Sequence, residues 1–129
     1  MKGVRIQSNP ENDICQKIFG WIETDQMEKV YQELKQHEGT MHQTVNGKSM
    51  IHVAVEADKE GLVKYLLAHL ANPVRQDAEG NTALHLAFKH GAYAIVYEII
   101  LSQKPEQRTK MMNEENKKKE TPLMMAAKV

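Results

Sequence analysis

Disulfides, an excess of one charge and long apolar runs are all missing from this chain of 129 residues. With a single cysteine, Cys15, no bridge can close within the chain, and an intracellular setting is the simplest expectation. A lone thiol of this kind is expected to be a packed small hydrophobe and not a reactive group. Basic and acidic side chains number 17 each and the isoelectric point is near 7.0, so no global field draws the protein toward nucleic acid or anionic lipid. No apolar run approaches the roughly 20 residues that span a bilayer. The stretch MKGVRIQSNPENDI has no apolar core of a signal peptide. Neither nucleic acid nor membrane is expected as a partner, and the expected location is cytoplasmic or otherwise intracellular, with delivery into a host cell left open.

Catalytic signatures are also missing. There is no GxSxG, no Walker loop and no GxGxxG, and Cys15 has no convincing histidine partner. His37, His42, His69 and His90 show neither HExxH nor zinc-ligand spacing. Glu114, Glu115 and Glu120 lie among Lys117, Lys118 and Lys119, where the charges are expected to be solvated and the lysine patch is compensated. No enzymatic activity, cofactor, metal or small-molecule substrate is expected. Met111, Met112, Met124 and Met125 cluster near the C-terminus, as packing filler or as an adaptable binding surface.

What is present is a repeat. Gly47 and Gly80 open two copies that align without a gap, 33 residues apart. In that register Ser49 meets Thr82, Ile51 meets Leu84, His52 meets His85, Ala54 meets Ala87, Asp58 meets Gly91 and Val63 meets Val96. Each copy reads as two short helices. Ser49 and Thr82 stand where a helix start wants a hydroxyl, and Asp58 and Gly91 stand where a helix-to-helix reversal wants a left-handed backbone. Leu62, Val63, Leu66, Leu67 and Leu70 carry the apolar spacing of the second helix.

The period, with NTALHLA at 81–87, KSMIHVA at 48–54 and ETPLMMAA at 120–127, resembles the ankyrin-repeat family. The resemblance implies an all-α solenoid of helix-turn-helix units with β-hairpin loops, about three repeats plus a C-terminal half-repeat. The segment around Ile14, Ile18, Trp21, Ile22, Met27, Val30, Tyr31 and Leu34 keeps the two-helix plan without the signature, as a terminal repeat often does. The expected divisions are a flexible leader at 1–11, a degenerate capping repeat at 12–46, repeats at 47–79 and 80–118, and the first helix of an incomplete repeat at 119–129. An inserted loop is expected near 104–109, where Pro105 stops a helix, and Met112 and Asn113 then take up hairpin positions. A fragment of a longer protein is expected, since an unpaired last helix exposes an apolar face.

The resemblance also assigns His52 and His85 to scaffold hydrogen bonds between repeats. Leu70 departs from it by replacing a helix-ending glycine, Met50 and Ala83 by replacing proline, and Glu98 by standing where an apolar residue is usual. Function is then expected at positions the repeat does not dictate, on a concave face that binds another protein. By register these are Val45, Asn46 and Lys48 with Glu56 and Ala57, then Ala78, Glu79 and Asn81 with Lys89 and His90. Lys118 and Glu120 follow in the last hairpin. Arg75, Gln76 and Asp77 extend the middle finger, Glu23 and Thr24 represent the first repeat, and Phe88 is a candidate anchor. Two narrower roles are also open: the targeting arm of a larger host-directed enzyme, and an inhibitor masking a transcription factor.

Overall fold

The computed structural model describes residues 10–127. The helices are α1 (Pro10–Glu23), α2 (Met27–Gln36), α3 (Met50–Glu56), α4 (Glu60–Ala68), α5 (Ala83–Lys89), α6 (Tyr93–Leu101), α7 (Pro105–Asn113) and α8 (Pro122–Ala127). A short 3-10 turn at Glu38–His42 precedes strands β1 (Thr44–Val45) and β2 (Lys48–Ser49). The strands pair antiparallel across Asn46 and Gly47, both at positive φ, which matches the two-residue turn favoured by strand twist.

The helices stack as hairpins, α1 with α2, α3 with α4 and α5 with α6. One backbone device reverses the chain each time. Asp25, Asp58 and Gly91 take φ of 63°, 58° and 69°. The following amide then reaches back five residues, from Gln26 to the Trp21 carbonyl, Lys59 to Ala54 and Ala92 to Ala87, at 2.7, 2.9 and 2.9 Å. The first pair therefore shares the turn of the other two although its sequence lacks their signature. Lys59 also ties its own turn to the previous one through Asp25, at 2.7 Å.

Ala54 and Ala87 are fully buried, and their lack of bulk lets α3 and α5 pack side by side. Ile18, Ile22, Leu34, Leu62, Leu66, Leu84, Ile95 and Ile99 fill the layer between the first helices of the hairpins, called the inner helices (α1, α3 and α5), and the second, outer ones (α2, α4 and α6). Leu70 does not join them. It sits at φ 68° and is 84% exposed, because it occupies the left-handed position that closes α4, where the Ala71 amide bonds to the Leu66 carbonyl at 2.9 Å. An L-residue there is strained by contact of its Cβ with the following carbonyl.

Two expectations need correction. The leader expected at 1–11 falls mostly on residues 1–9, outside the described residues, but Pro10 and Glu11 already belong to α1, where proline suits the first helical position. The segment near 104–109 is no loop: Pro105 stops α6 and also starts α7. The Arg108 guanidinium stabilises that junction by donating from Nε to the carbonyls of Ile100 and Gln103, at 2.9 and 2.8 Å, which supplies partners for the end of α6. Met111 is buried, and Met112 and Asn113 close α7 instead of opening a hairpin.

Candidate functional site

Three turns form a row of fingers beside α3, α5 and α8. The first is the β1–β2 hairpin; the second spans Asp77 to Asn81 and the third Asn116 to Glu120. Asp77 builds the second by accepting from the amides of Glu79 and Asn81, both at 2.9 Å. Asn116 builds the third in the same way, accepting from Lys118 and Glu120 at 2.9 Å each. Adjacent fingers touch closely. A Cβ on Gly47 would lie 3.1 Å from the Ala78 amide nitrogen, and one on Gly80 would lie 2.7 Å from that of Lys117.

Histidines lock the row to the inner helices. Ser49 donates its amide to His52 Nδ1 at 3.2 Å, so Nε2 carries the proton and donates to the Asn81 carbonyl at 2.9 Å. One repeat on, the Thr82 amide donates to His85 Nδ1 at 3.1 Å, and His85 Nε2 donates to the Glu120 carbonyl at 2.8 Å. Each ring thus joins the start of its own helix to the next finger. Burial lowers the His52 pKa from its ordinary value, against the opposing pull of the Asn81 carbonyl.

The second and third fingers, with the end of α5, enclose a cleft of about 450 Å³. Of the residues picked from sequence, Ala78, Glu79, Asn81, Lys89, Lys118 and Glu120 line it, and Asn116, Lys117 and Met125 complete it. Lys89, Lys117 and Lys118 form no ion pair among the described residues. Glu120 is committed: Asn116 Nδ2 donates to its Oε1 at 3.1 Å and to Asn81 Oδ1 at 2.9 Å.

The remaining candidates lie elsewhere or are engaged in the scaffold. Lys48 Nζ is paired with Glu56 Oε1 at 2.7 Å, which fastens the first finger to the end of α3. Val45, Asn46 and Ala57 accompany that pair and do not line the cleft. Arg75 Nη1 reaches the His42 carbonyl at 3.0 Å, and Gln76 Nε2 bridges the carbonyls of Gly80 and Glu115 at 3.0 and 3.1 Å. Asn81 is 3% exposed, and Phe88 is buried with its ring edge-on to Tyr93, so both are packing residues first. His90 is exposed at the end of α5 but outside the cleft lining. Glu23 and Thr24 end α1, where Thr24 Oγ1 donates to the Gly20 carbonyl at 2.8 Å.

Asn116 and Lys117 are not among the sequence candidates although they share a hairpin with Lys118 and Glu120, and Met125 reads in sequence as packing filler or an adaptable binding surface. Asn116 lies 39 residues after Asp77, the same separation as Thr121 from Thr82, and that spacing is the signal that locates the third finger. Among the described residues no group of three or more His, Cys, Asp or Glu could hold a metal ion, and no helix is long and apolar enough to cross a membrane.

The ankyrin-repeat domain of Bcl-3, a member of the IkappaB protein family, is similar in structure, with a TM-score of 0.75 and 20% identity over 86% of this chain and 50% of that one. The chain thus spans half the length of that domain. A chain from the complex of the predatory endopeptidase Bd0816 of Bdellovibrio bacteriovorus with immunity protein Bd3460 matches with a TM-score of 0.60 and 15% identity, covering 95% of this chain and 93% of that one. No curated protein sequence matches significantly. The family model for ankyrin repeats in three copies matches residues 22–111, and the chain belongs to the ankyrin-repeat family, whose domains are generally protein-interaction modules without enzymatic activity.

Proposed function

We propose that this chain holds a protein partner in the cleft between its second and third fingers, at the end of α5, and that it carries out no catalysis there. The observation that carries this reading is the cleft itself: a concave volume of about 450 Å³ lined by Ala78, Met125 and three lysines, Lys89, Lys117 and Lys118, that form no ion pair among the described residues. Concave sites with an apolar floor and a few placed polar groups are where proteins bind ligands. The first finger contributes less, because Lys48 and Glu56 already satisfy each other.

The test is capture of a partner from cell extract on the immobilised full chain, repeated with Glu79→Trp, which fills the cleft from an exposed position. Capture is expected to be lost with Glu79→Trp and kept with Glu106→Ala on α7, both variants unfolding at the parent's temperature. Undiminished capture by Glu79→Trp overturns the cleft assignment. A retained DNA-binding domain would favour the masking of a transcription factor, the reading suggested by likeness to an IkappaB family member. A retained host protein would favour a targeting arm.

A further inference from the structure

Resting on that reading of the cleft, we propose that its occupant is an extended acidic segment of the partner protein, with carboxylates alternating with apolar side chains. The argument starts from a broken repeat. Lys48 and Glu56 correspond by register to Asn81 and Lys89. In the earlier repeat the pair closes on itself at 2.7 Å. In the later one Asn81 turns to Asn116 at 2.9 Å, and a cation replaces the anion at the end of α5. Lys89 forms no ion pair among the described residues.

The third finger then adds charge of the same sign. Lys117 and Lys118, on the third finger, line the same cleft as Lys89 at the end of α5. Of the two carboxylates on the lining, Glu120 is held by Asn116, which leaves Glu79 as the anion at the exposed rim. The local excess is positive in a chain whose overall charge is zero. Three cations against two carboxylates leave an excess of one positive charge on the lining, and an entering carboxylate offsets that excess while fixing register. Met125 and Ala78 supply apolar lining in the same cleft, and a thioether adapts to varied side chains. A ligand that carries both carboxylates and apolar side chains matches this mixture in the lining. A bare polyanion would leave the apolar lining uncovered.

The experiment titrates the full chain, with amide shifts followed by NMR, with a capped peptide alternating glutamate and leucine. Counterparts carrying glutamine or lysine in place of glutamate, and an oligothymidylate, are run beside it. The acidic peptide is expected to move the amides of Glu79, Lys89, Lys117 and Lys118 saturably. Lys89→Gln and Lys118→Gln should each weaken it about tenfold, whereas Lys110→Gln on α7 leaves it unchanged. Equal affinity for the glutamine peptide in the same cleft overturns the acidic class while leaving the cleft as the site. Preferential binding of oligothymidylate overturns the choice of a protein segment. Absence of peptide binding, with partner capture still abolished by Glu79→Trp, sinks this inference alone; capture insensitive to Glu79→Trp sinks the site and the inference together.

Discussion

The junction of the first and second fingers is closed, and that of the second and third is open, although the same motif builds both. At the first, Lys48 is spent on Glu56 and Gly47 lies against Ala78. At the second, Gly80 lies still closer to Lys117, yet the side chains beyond it frame a cleft with three lysines that form no ion pair among the described residues. The backbone contact is conserved within the molecule while the charge pattern is not. Scaffold and site are thus separable here: glycines, histidines and left-handed turns set the spacing of the fingers, and the residues at the end of each inner helix decide whether the space between them is filled.

The scaffold half of that comparison is broken most severely from the core. Leu84 is fully buried on α5, and Leu84→Ala should lower stability by about 2 to 5 kcal/mol, measured by urea unfolding. Next comes the glycine pair. Gly80→Ala introduces a Cβ 2.7 Å from the Lys117 nitrogen at φ +81°, and should cost about 2 to 4 kcal/mol. Gly47→Ala, with 3.1 Å to Ala78 at φ +82°, should cost less than Gly80→Ala in the same assay. Equal losses would show that the two junctions are not packed differently.

A smaller effect sharpens the role of the histidine links. Burial lowers the His52 pKa in the folded chain, so below the ordinary histidine value of about 6.5 the unfolded chain binds more protons at this site. Stability should therefore fall as pH drops through that value and stop falling from this source once pH passes below the folded pKa. His52→Asn should be less stable at neutral pH but with a shallower slope between pH about 7 and 5, read by denaturation midpoints. The smallest expected change is a gain: Leu70→Gly relieves the left-handed strain at φ 68° and should stabilise the chain by about 1 kcal/mol.

Most of the scaffold was legible in the sequence because it repeats. The 33-residue register placed the helix starts at Ser49 and Thr82 and the reversals at Asp58 and Gly91, and paired His52 with His85. Even Leu70, marked as a departure from the family pattern, proved to occupy the left-handed position that a glycine would fill. The helix over 105–113 was not legible because Pro105 reads in sequence as a helix stop; proline also begins helices, and Arg108 supplies the missing partners at the join.

The site was only half legible, for a different reason. Register identifies which positions vary, but not whether a variable residue is spent on its neighbours. Lys48 and Lys89 read alike in the sequence as cations of a finger region; in the fold Lys48 has Glu56 beside it, and Lys89 forms no ion pair among the described residues. Asn81 looked variable and is a buried strut between fingers.

The most direct test of the difference between the two junctions is amide shift mapping of the full chain with the captured partner. The account predicts that shifts gather on residues 78–81, Lys89 and residues 116–120, with Asn46, Lys48 and Glu56 little changed. Shifts of equal size at Lys48 and Glu56, or a response centred on the first finger, would contradict it.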